Sequence, residues 1–136
     1  MKKTQHLNPP GDMPLLLGEY CHGIKIPLPG VDLIFLTGQK AMDAQGNIIA
    51  PGDVGKQTEH IFENIRKLLA EAGATFQDVV KAQIYVLNMK DFHTISAVRN
   101  RYFKDIRPAS VMVEVSGLSK PGCLIEIAIT AAKLQP

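Results

Sequence analysis

The chain has 136 residues, 46% of them hydrophobic and 21% charged, and 15 Lys and Arg against 13 Asp and Glu leave a net charge of +2. These values exclude a disordered segment. They leave no basic block to draw nucleic acid or an anionic membrane, and the length suits one domain over residues 1–136 that needs no metal or disulfide to fold.

The N-terminal stretch MKKTQHLNPPGDM begins with two lysines but runs into prolines instead of an apolar core, so it does not read as a secretory signal. Residues 1–17 read as an irregular lead-in with a short extended start. Ile24-Lys25-Ile26 alternates like a strand until Pro27, Pro29 and Gly30 break it. Leu33 to Thr37 is a near-continuous apolar run, a buried strand returning antiparallel from the Pro-Gly turn. Gln45-Gly46-Asn47 is a second tight turn. Asp53 then caps a helix whose apolar residues Ile61, Phe62, Ile65, Leu68, Leu69 and Ala72 recur at 3.6-residue spacing. Glu59, Glu63, Arg66 and Lys67 fall on the other face, and Gly73 is the C-terminal left-handed residue.

Val79-Val80, Ala82, Ile84 and Val86 give the next strand. Asn88, with Asp91 three residues on, predicts the cap of a second helix. Its apolar face is Phe92, Ile95, Val98, Tyr102 and Phe103, and Pro108 ends it. Two strands, Ser110–Val115 and Leu124–Ala131, close the chain around the turn-rich stretch Gly117–Gly122. The order β-β-α-β-α-β-β is that of an α+β domain, a sheet with two amphipathic helices on one face. The other face stays apolar in the LIFL, AQIYV and SVMVEV runs. An uncovered apolar face predicts association between subunits and a site built between them.

Metal chemistry is unsupported, because His6, His22, His60 and His93 show no ligand spacing. Phosphate-binding glycine loops and a nucleophile elbow are also missing. No run is long and apolar enough to cross a bilayer. Cys21 and Cys123, without CxxC spacing, read as reduced thiols of a cytoplasmic protein. Two strand carboxylates stand out, Glu114 between Val113 and Val115 and Glu126 between Ile125 and Ile127. Each either faces water or is held in a cleft where it orients a water molecule.

Several segments resemble the RidA (YjgF) family. Gly18-Glu19-Tyr20 and Leu33-Ile34-Phe35-Leu36-Thr37-Gly38-Gln39 look like its GPY and (V/I)SGQ motifs. Asp53-Val54-Gly55-Lys56-Gln57-Thr58, Asp78-Val79-Val80-Lys81 and Asn88-Met89-Lys90-Asp91-Phe92 follow in the family's order. Pro108-Ala109-Ser110-Val111-Met112-Val113-Glu114-Val115 and Ile125-Glu126-Ile127 look like PAR[ST]xVEV and (V/I)EIEA. The match runs over about residues 18–132. It implies a chorismate-mutase-like fold, a homotrimeric barrel and small-molecule clefts between subunits. It further implies cofactor-free hydrolysis of reactive enamines and imines such as 2-aminoacrylate. By the same resemblance Glu126 is the water-orienting glutamate, Tyr20 lines the cleft, and Gly38 brings its backbone to the ligand. Ser110 and Met112 are on the ligand-binding strand.

Ser110 stands where the family has an arginine. A guanidinium grips a carboxylate through two charge-assisted hydrogen bonds, and a hydroxyl offers one neutral bond. The deficit is on the order of 2–3 kcal/mol. Arg107, three residues away, is also a ligand-binding candidate: a fully extended chain would point it to the opposite face from Ser110, but Pro108 interrupts that geometry. Cys21-His22 and Ala128 are further departures from the pocket motifs. The expectation is therefore deamination of an enamine or imine other than 2-aminoacrylate. The alternative is a non-catalytic metabolite-binding or protein-stabilising trimer. An endoribonuclease, which needs a basic and aromatic surface strip, fits less well.

Overall fold

A computed structural model of the chain describes residues 4–136. Its elements are β1 (Gln5–Leu7), β2 (Gly23–Leu28), β3 (Val31–Leu36), β4 (Gln39–Lys40), α1 (Val54–Glu71), β5 (Val79–Val86), α2 (Phe92–Tyr102), β6 (Ala109–Glu114) and β7 (Ile125–Leu134). The strand order is β1-β2-β3-β7-β5-β6, with β4 also paired to β7. β5 and β6 run parallel and the other pairs antiparallel, so the sheet is mixed. The α+β class and the two helices on one face agree with the sequence reading. The short extended start expected within residues 1–17 is β1, and the strand β4 is an addition, since 2 residues carry no periodic signal. Among the described residues no helix is long and apolar enough to cross a membrane.

Helix α1 begins and ends as its sequence dictates. The Asp53 carboxylate accepts a hydrogen bond from the Lys56 N–H at 3.0 Å, and Gly73 takes φ = 79° just beyond the helix. The second cap differs from expectation. Asn88 Oδ1 accepts from the Lys90 N–H at 2.9 Å and closes a 3-10 turn, Met89–Asp91. Asp91 then precedes α2 with no side-chain cap. The short reach of an asparagine to the amide two residues on favours the tight turn over a helix cap. Phe92, expected on the apolar face of α2, is 39% exposed, whereas Ile95, Val98 and Phe103 are buried.

The core lies between the helices and one face of the sheet. Ile34, Ala82, Ile84, Ile127, Ile129 and Ala131 of the sheet are essentially inaccessible, as are Ile61, Phe62, Ile65, Leu68 and Leu69 of α1. The Phe62 ring stacks on Tyr102 with centroids 4.6 Å apart and meets Phe103 edge-on at 5.3 Å, joining α1 to the end of α2. The opposite sheet face has no internal cover. It carries Phe35 at 44% exposure, Val111 at 45% and Val113 at 40%.

One buried polar side chain anchors the start of β7. Gln57, fully buried on α1, donates from Nε2 to the Gly122 carbonyl at 3.0 Å. Its Oε1 accepts from the Leu124 N–H at 2.9 Å. Gln57→Leu removes the side-chain partner of both part-buried backbone groups, each hydrogen bond worth about 0.5–1.5 kcal/mol. Urea unfolding of that variant should show a loss of about 2 kcal/mol, and a loss below about 0.5 kcal/mol would mean that water replaces the glutamine.

Burial also sets a pH dependence. It lowers the pKa of His22 and His60 from the ordinary 6.5. The stability tied to their neutral form is present above that value. It is lost as the pH falls, because the unfolded chain binds protons that the folded chain refuses. The melting temperature should fall as the pH drops below 6.5, and the double variant His22→Gln/His60→Gln should fall less steeply than wild type.

Candidate functional site

The alternation of β7 decides where Glu126 points. Ile125 and Ile127 turn into the core, so Glu126 turns to the uncovered face, opposite Tyr85 on β5 and Lys40 on β4. The Lys40 ammonium lies 3.5 Å from Glu126 Oε1. Gly38 closes the other side of the carboxylate. A Cβ at that position would overlap Glu126 Oε2, so the glycine is required by close approach and not by its backbone angle. The Tyr20–His22 segment is tied to the end of β3, with the Thr37 N–H donating to the His22 carbonyl at 2.9 Å. Thr37 Oγ1 donates to the Cys21 carbonyl as well. Tyr20 Oη accepts from the Leu17 N–H at 3.0 Å, which fixes the ring.

Two cavities adjoin this cluster. A small one of about 10 Å³, roughly one water in size, is lined by Tyr20, His22, Gly38, Gln39 and Lys40 among others. A larger, mostly apolar one of about 630 Å³ lies along Tyr20, Cys21, Phe35 and Thr37, within the range of small-molecule pockets. The structure therefore brings Tyr20, Gly38 and Glu126 together. It adds Lys40, which no motif or periodicity in the sequence singles out. Burial pushes the Cys123 thiol above its ordinary pKa, in keeping with an inert thiol. Glu114 has a structural use, accepting the Met89 N–H at 2.8 Å.

The remaining candidates sit elsewhere. Ser110 pairs with Ala82 and Met112 with Ile84, both core-facing residues. Ser110 and Met112 therefore share the helix side of the sheet, opposite to Glu126. Met112 is half-buried and packs on the core, whereas Ser110 is exposed at the sheet edge. Arg107 departs from extended geometry. It adopts φ = 53°, two residues after Asp105 at φ = 65°. That left-handed turn brings Arg107 onto the same groove as Ser110, about 540 Å³ in volume, together with Arg99 and Lys104. Within one chain the Glu126 cluster and the Arg107–Ser110 groove lie on opposite sides of the sheet.

The family profile described as Endoribonuclease L-PSP matches residues 12–133. A RutC family protein of Pyrococcus abyssi is 39% identical over 120 residues, covering 88% of this chain and 91% of that protein. The 3-aminoacrylate deaminase RutC of Acinetobacter baylyi is 35% identical over 100 residues, 74% of this chain and 79% of that protein. The crystal structure of a putative endoribonuclease from Thermotoga maritima superposes with a TM-score of 0.85 at 28% identity, over 99% of this chain and 100% of that one. A mixed sheet with two helices on one face, the ordered motifs from Tyr20 to Glu126 and these relatives agree. The chain belongs to the Endoribonuclease L-PSP family, the RidA (YjgF) family that its motifs resemble.

Proposed function

We propose that the protein is a cofactor-free cytoplasmic hydrolase that deaminates an enamine or imine acid other than 2-aminoacrylate, in clefts between the subunits of a homotrimer. The observation that carries this reading is the Glu126 carboxylate, presented on the uncovered face between the Gly38 backbone and Lys40. A half-buried carboxylate with one fixed orientation is a suitable base for a water molecule. An enamine first shifts a proton from nitrogen to carbon, giving the imine. Glu126 then takes a proton from the water as its oxygen bonds to the imine carbon, and that proton passes to nitrogen. The second water proton follows as the C–N bond breaks. A carbonyl and ammonia leave, and the atoms balance with no redox partner.

Tyr20 and Gly38 line the reacting end of the cleft. A neighbouring copy supplies Ser110 and Arg107. The uncovered apolar face supports such an assembly. Arg107 meets a carboxylate from a different direction than an arginine at position 110 would. A changed carboxylate position fits a substrate other than 2-aminoacrylate, with 3-aminoacrylate as the candidate. The relationship to the Acinetobacter deaminase supports the same class.

Ammonia release from 3-aminoacrylate and from 2-aminoacrylate, each generated in situ, tests the reading. Wild type should favour the former, and Glu126→Gln should lose roughly 100-fold or more in kcat. Ligand binding without turnover, or full activity in Glu126→Gln, would replace the hydrolase with a metabolite-binding trimer.

A further inference from the structure

We infer that Lys40 is the positioning residue for Glu126, holding the carboxylate from behind while the carboxylate alone meets the ligand. This inference rests on the hydrolase reading above. The two partners are buried unequally. The Lys40 side chain is 8% exposed and that of Glu126 is 24% exposed. The ammonium is thus the inner member of the pair and the carboxylate the outer one. A lysine on this strand could have turned to water, but its place opposite Glu126 in the β4–β7 ladder keeps it inside.

Removing an ammonium from water is costly unless a charge is paired with it. Among the described residues Glu126 is the carboxylate within 4.0 Å of Lys40. The constraint acts both ways, because the ammonium fixes Oε1 and leaves Oε2 beside Gly38, where a Cβ would have stood. A swinging carboxylate would lose its water geometry, and a displacement of about 1 Å is enough to cost about 100-fold. The pairing also explains why a two-residue strand matters. β4 has the length needed to set Lys40 against Glu126 and continues no further.

Lys40→Met keeps the volume and removes the charge. With 3-aminoacrylate generated in situ, its kcat should fall roughly 10- to 100-fold with little change in KM. Lys40→Arg, which keeps the charge, should recover part of the rate. Lys40→Met/Glu126→Gln should be no slower than Glu126→Gln, because Lys40 acts only through Glu126. An additive loss in the double variant, an effect on KM alone, or an unchanged kcat would overturn the inference. A crystal structure of Lys40→Met gives a readout independent of turnover. The carboxylate should rotate away from Gly38, and a carboxylate left in place would refute the role of Lys40. If wild type is inactive on both enamines, the hydrolase reading fails, and the crystal structure still decides whether Lys40 positions Glu126.

Discussion

The ladder around β7 is the constraint on which the rest of the molecule depends. This strand pairs with β3, β4 and β5. Its odd positions Ile125, Ile127, Ile129 and Ala131 fill the core, and its even positions face the uncovered side. A slip of one residue would send Glu126 into the hydrophobic layer and four apolar side chains to the surface. Two polar contacts hold that register at its start. Gln57 grips the chain at Gly122 and Leu124 from the helix layer, and Lys40 meets Glu126 from β4.

The same alternation divides the chemistry of the chain. Glu126, Gly38 and Tyr20 gather at the uncovered face, while Arg107 and Ser110 gather on the helix side at the edge strand β6. Neither half has both the Glu126 carboxylate and a cationic groove. An edge strand and an uncovered apolar face are also the two features of this sheet that call for a second copy. Both features support the proposed arrangement, a cleft completed by a neighbouring subunit.

Much of this was legible in the sequence, for reasons that differ by element. The 3.6-residue spacing from Ile61 to Ala72 and the signals at Asp53 and Gly73 each stated the same helix, and the structure has it at Val54–Glu71. Strand alternation sets Glu126 opposite to Ile125 and Ile127 but leaves open whether its face meets water or a cleft. What was illegible is non-local or conformational. Lys40 reads as an ordinary surface charge until β4 pairs with β7. Gln57 reads as part of a polar helix face, yet it is fully buried because backbone groups 65 and 67 residues away need partners. For Arg107 the sequence leaves two placements, opposite to Ser110 in an extended chain or beside it where Pro108 breaks the strand. Its left-handed backbone, φ = 53°, is rare for a residue with a side chain and has no signal in composition.

The central claim is that one working site takes Glu126 from one subunit and Arg107 from the next. Mixing two inactive variants measures this directly. Glu126→Gln and Arg107→Glu are each purified, unfolded together in equal amounts and refolded, and ammonia release from the enamine substrate is assayed. Random trimers pair an intact Glu126 with an intact Arg107 at about a quarter of their interfaces. Recovery of about a quarter of wild-type activity is the expected result. No recovery, with mixed trimers present, would contradict a cleft shared between these two residues.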